Sequence, residues 1–108
     1  MKIQINTDHN VDGNERLHAF LEDKITNALK RFENHLTRIE VHLSDENAIK
    51  NGPDDIRCLF EVRLEGREPL AVTANANTIE AVVSMAIEKV KSLLDTQLGK
   101  QTDSRVKL

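Results

Sequence analysis

The sequence predicts an α+β domain of order βαβββα, a four-stranded sheet with two helices packed on one face. Three observations carry that prediction. Between Asn14 and Leu43 the apolar period changes within one continuous stretch. Leu17, Phe20, Leu21, Ile25, Ala28, Leu29 and Phe32 recur at three- and four-residue spacing, the stripe of an amphipathic helix. After Asn34, Ile39, Val41 and Leu43 alternate with Arg38, Glu40 and His42, as on a half-buried strand. Two further alternating runs flank Gly66-Arg67, and a second strand-then-helix pattern closes the chain. A sheet with one apolar face must cover it, and two amphipathic helices are the available cover.

The elements follow in order. Ile3 and Ile5 alternate with Lys2, Gln4 and Asn6 in a short first strand. Asp8 to Gly13 is rich in turn formers and reads as a loop. Asn14 suits an N-cap, and Glu15 suits the positive end of the helix dipole. The first helix runs to about Phe32 or Glu33, with Lys30 and Arg31 in its last turn, where cations are favoured. A second strand covers about Thr37 to Ser44. The segment Asp45 to Asp55, with Asn51-Gly52-Pro53, is a turn-rich connection. Ile56, Cys58, Phe60, Val62 and Leu64 alternate with polar neighbours in the third strand. Gly66-Arg67 makes a tight hairpin into the fourth, where Leu70, Val72, Ala74 and Ala76 alternate. Thr78 caps the second helix, whose stripe is Ile79, Val82, Val83, Ala86, Ile87, Val90, Leu94 and Leu98. Gly99 is placed to end it, which makes 1–99 one domain and 100–108 a flexible C-terminal tail. The expected core joins Phe20, Ile25, Phe32, Val41, Phe60, Val62, Val82, Ile87 and Val90.

Composition narrows the function. A chain of 108 residues is one domain by length, and aliphatic residues must build its core, since it has three Phe and neither Trp nor Tyr. Fifteen basic and 18 acidic residues leave a net charge of −3, which argues against a generally basic nucleic-acid binder. Local patches, not the average, decide binding. The single Cys58 suits a reducing compartment. No signal peptide opens the chain and no apolar run approaches membrane-spanning length, so the expected setting is the cytoplasm, with no membrane partner.

The order βαβββα, with LHAFLEDKITNALKRFENHLTRIEVHL in the first half and AVTANANTIEAVVSMAIEKVKSLLDTQL in the second, resembles the ribosome hibernation-promoting factor and ribosome-associated inhibitor family, also called sigma-54 modulation proteins. The residues that carry the resemblance are Lys24-Ile25 seven positions after Leu17, Arg38-Ile39-Glu40-Val41, and Glu88-Lys89-Val90. The segments LSDENA and RCLFEVRLEGREPLAV are similar to a divergent bacterial branch. The resemblance covers Met1 to Leu98 and fits the family's short form, without the C-terminal dimerisation domain of the long form. Thr78-Ile79-Glu80 stands where the family has Asp-Met-Tyr, Ser92 where a base is common, and an acidic balance where small-subunit binders are basic. The resemblance implies a double-stranded-RNA-binding-domain-like fold. It also implies a ribosome-associated factor that binds the small ribosomal subunit and blocks the mRNA/tRNA channel under stress, with neither cofactor nor small-molecule substrate.

Candidate contacts follow from that. Lys24, Lys30, Arg31, Lys89 and Lys91 are helix-borne cations suited to ribosomal RNA phosphates, which need only charge and reach. Their plainer reading is solvated helix faces, with Glu22, Asp23 and Glu88 partly neutralising them. Arg38, Arg57 and Arg63 form a second candidate set on the open sheet face. That face has no aromatic residue for base stacking, and its plainer reading is cross-strand Arg–Glu pairing. His9, His18, His35 and His42 match no zinc spacing, and Cys58 alternates inward, so no metal is expected. No phosphate loop, serine elbow or paired catalytic carboxylates appear, so an enzyme is not expected. A non-catalytic regulatory protein-binding module on the same fold stays open beside the ribosomal reading, favoured by the acidic balance.

Overall fold

In a computed structural model the chain folds as strand β1 (Lys2–Thr7), helix α1 (Glu15–Leu29), strands β2 (Leu36–Asp45), β3 (Ile56–Leu64) and β4 (Leu70–Ala76), and helix α2 (Ile79–Val106). The structure describes residues 1–8, 11, 13–45 and 56–106, with side chains as far as residue 98. The expected Asn51-Gly52-Pro53 turn and His9 lie outside the described residues.

The four strands form one sheet in the order β1-β2-β3-β4. β1 pairs parallel with β2, as a strand–helix–strand crossover requires. β2 with β3 and β3 with β4 are antiparallel. The alternation read from the sequence sets the register: Ile39 faces Val62, Val41 faces Phe60 and Leu43 faces Cys58. These inward side chains are buried and meet Leu21, Ile25 and Leu29 of α1 and Val82, Val83, Ala86, Val90 and Leu94 of α2.

The helix starts are capped as their sequences suggest. The Asn14 side chain accepts the Leu17 N–H at 2.8 Å, and the Thr78 hydroxyl accepts the Ala81 N–H at 3.1 Å. α1 closes with a 3-10 turn, Lys30–Phe32, which tucks the Phe32 ring into the core. Gly66 has φ of 73°, so the β3–β4 connection depends on a residue without a Cβ at that point. The loop is also tied down, because Arg67 donates to the Gln97 carbonyl of α2 at 3.0 Å.

Two expectations are corrected. Phe20 is not core but 48% exposed. The buried row of α1 is Leu21, Ile25 and Leu29, and Phe20 sits about 100° around the helix from Leu21. The apolar stripe of α1 is wider than the strip that the sheet and α2 cover. Phe20→Ala therefore lowers stability by less than about 1 kcal/mol in urea unfolding, whereas a loss of about 3 kcal/mol or more would return Phe20 to the core. The second correction is at Gly99, which does not end α2. The helix runs through it to Val106, since a single helical glycine costs only about 1 kcal/mol relative to alanine.

Candidate nucleic-acid interface

β1, β2 and β4 run one way, and each helix returns against the strand before it, so α1 and α2 run parallel. α2 lies over β3 and β4, and α1 packs on the β1 side. An ion pair joins the two helices. Arg31 and Asp95, each sixteen residues past the start of its helix, meet at 2.9 Å. That contact reports which sides of the helices face each other.

The candidate cations divide around it. Lys24 lies two turns before Arg31, on the same side of the first helix. Lys30 adjoins Arg31 in the 3-10 turn. Lys91 lies one turn before Asp95, on the side of α2 that faces α1, with its ammonium 3.7 Å from Glu88. Lys24 and Lys91 therefore share the side of the helix pair on which Arg31 meets Asp95, whereas Lys30 projects about a third of a turn away from Arg31. Lys89 does not join them. Helical phase turns it toward β4, where its Nζ donates to the Thr73 carbonyl at 2.7 Å on the edge strand. Among the described residues no carboxylate pairs with Lys24 or Lys30.

The charge of this surface is balanced. Through Leu98, the two helices and the 3-10 turn carry six basic and six acidic side chains, so binding there must come from the placement of individual cations. The sequence reading weighed Glu22, Asp23 and Glu88 as neutralising acids and missed Asp95. The available signal was the equal offset of Arg31 and Asp95 within their helices, which has meaning only once the helices are known to be parallel.

The open sheet face presents Arg38, Arg57 and Arg63 together with Glu40, Glu61 and His42. Arg38 stands across from Arg63, Glu40 from Glu61 and His42 from Leu59. Like charges facing across a ladder repel, and here each carboxylate is answered along its own strand. Arg38 donates to Glu40 at 2.9 Å and also bonds Gln4, while Arg63 lies 3.2 Å from Glu61. The Arg38 hydrogen bond, with nearby positive charge, holds the Glu40 carboxyl below its usual range. Arg57 has no carboxylate partner among the described residues and borders a shallow cavity of about 390 Å³ with Asn6, His42 and Ser44. Two of the three sheet arginines are thus committed to internal pairs.

Burial pushes the Cys58 thiol up to about 12. The native protein should react with iodoacetamide at pH 8 at least about 100-fold more slowly than the urea-unfolded chain. Equal rates would place Cys58 at the surface and break the β3 register. Among the described residues no group of three His, Cys, Asp or Glu could hold a metal ion, and no helix is long and apolar enough to cross a membrane.

A ribosomal subunit interface protein from Coxiella burnetii superposes with a TM-score of 0.73 at 17% identity, covering 92% of this chain and 99% of that one. The N-terminal domain of Thermus thermophilus Protein Y superposes at 0.70 with 17% identity, covering 89% and 98%. At that identity the two structures establish the shared fold. No curated protein matches the sequence. The family model described as sigma 54 modulation protein / S30EA ribosomal protein matches residues 3–102, and the chain therefore belongs to that family.

Proposed function

We propose that this protein is a ribosome hibernation factor of the cytoplasm. It binds the small ribosomal subunit and excludes messenger and transfer RNA from their channel under stress. The observation that carries the reading is the family match over residues 3–102, joined to the cations Lys24, Arg31 and Lys91 along the facing sides of parallel helices. The mechanism is steric and non-catalytic. Lys24, Lys30, Arg31 and Lys91 neutralise ribosomal RNA phosphates from the helix pair, with Lys89 at its rim toward β4. Packing of the helices on the sheet fixes the backbone positions of those cations, so the ordering entropy lost on binding is confined to their side chains. Both structural neighbours, one named a subunit interface protein and the other Protein Y, fit this reading.

Co-sedimentation with ribosomes and isolated subunits through sucrose gradients, across a salt series, tests it. The expected result is recovery with the small subunit at low salt and progressive release as salt rises. The parity of six bases and six acids on the helices favours a second reading, a regulatory module that binds another protein. If the protein from neither growing nor stationary cells co-sediments at any salt, that module becomes the better account.

A further inference from the structure

Arg31 already holds an anion in the free protein. Its Nη2 donates to the two carboxylate oxygens of Asp95 at 2.9 and 3.1 Å. Its guanidinium carbon also lies 4.3 Å from the centroid of the Phe32 ring, and that ring is buried. The two charged side chains are 58% and 54% exposed, so the pair sits where a large ligand can reach it. Carboxylate and phosphate oxygens accept the same charge-assisted bond from a guanidinium, and two anions cannot share one edge of it.

We infer that Asp95 is an intramolecular competitor for the phosphate site on Arg31, and that it sets the affinity of this protein for ribosomal RNA. The inference rests on the ribosome reading above and adds its regulation. A phosphate that takes Arg31 displaces Asp95, and the released carboxylate then faces the RNA backbone. Affinity falls on both counts. Arg31 itself need not move far in the exchange, because the Phe32 ring still supports it once Asp95 has let go. The chain therefore carries its own substitute for the RNA on the surface proposed to bind RNA.

Asp95→Asn removes the charge and nearly preserves the size. It should tighten binding to small subunits by about three- to tenfold near 0.1 M salt, and steepen the log–log salt dependence by about one, as expected for one more phosphate contact. Glu80→Gln is the control. It removes the same charge from the same helix about 22 Å away, at 1.5 Å per residue, and should change affinity far less. Adding Arg31→Gln to Asp95→Asn should erase the gain. If the wild type binds and Asp95→Asn neither tightens binding nor steepens the slope, the inference is overturned and the ribosome reading stands. An equal gain from Glu80→Gln also overturns it, since net charge alone would then explain the effect. If neither wild type nor Asp95→Asn binds at any salt, the ribosome reading falls and the inference falls with it.

Discussion

Phe60→Ala is expected to cost about 3–5 kcal/mol of folding stability. Phe60 is fully buried on β3, an interior strand, with Val41 of β2 and Val72 of β4 directly opposite it. It is the largest of the side chains that are wholly inaccessible, and α2 packs over its strand. Removing the ring deletes apolar contact on three sides. A backbone hydrogen-bonded to both neighbours cannot close inward to refill the space, so most of the cavity remains. For a small domain with roughly 5–15 kcal/mol of total stability, the loss approaches unfolding. Equilibrium urea denaturation gives the value directly. Phe60→Leu, which refills part of the volume, should recover much of it. A cost below about 1 kcal/mol for Phe60→Ala would put the ring on the open face, with β3 slipped by one residue.

The second large effect concerns ribosome binding. Replacing Lys24, Arg31 and Lys91 together by Gln should lower affinity for small subunits by about 10²- to 10³-fold near 0.1 M salt, and reduce the salt slope by between about two and three. The lower figure applies if Asp95 already cancels most of the Arg31 contribution. Glutamine keeps the inner half of the aliphatic stems of the half-buried Lys24 and Lys91, so most of their packing is preserved. Exposed ion pairs contribute little to stability, and the melting temperature should stay within a few degrees of wild type. Lys89→Gln, by contrast, should weaken binding only slightly, because its ammonium is engaged with the Thr73 carbonyl at the sheet edge. Binding by the triple variant at moderate salt would exclude the facing sides of the helices. The open sheet would then be the surface to examine, beginning with Arg57, which is less committed than Arg38 and Arg63.

The order of elements and the division of each strand into inner and outer residues were legible in the sequence, whereas the strand order and the pairing partners were not. These properties are set by local geometry. Side chains repeat every two residues on a strand and every 3.6 on a helix, so a run such as Ile56 to Leu64 carries its own inner and outer assignment. The caps at Asn14 and Thr78 were legible for the same reason, since each cap bond spans three residues. Placing Arg38, Arg57 and Arg63 on one face with His42 needed only the alternation and a hairpin register.

What the tertiary structure alone decided depends on how one helix is rotated against its surroundings. Apolar spacing shows that α1 has an inner side but not how wide a strip the sheet and α2 cover, so Phe20 could be placed only by the packing. Lys89 and Lys91 are two residues apart, yet one reaches an edge carbonyl and the other faces the neighbouring helix. Arg31 and Asp95 are 64 residues apart, and nothing in either local sequence indicates that they meet. Periodicity is a property of one segment, whereas a shared surface is a property of two, and only burial against the common sheet brings those two into phase.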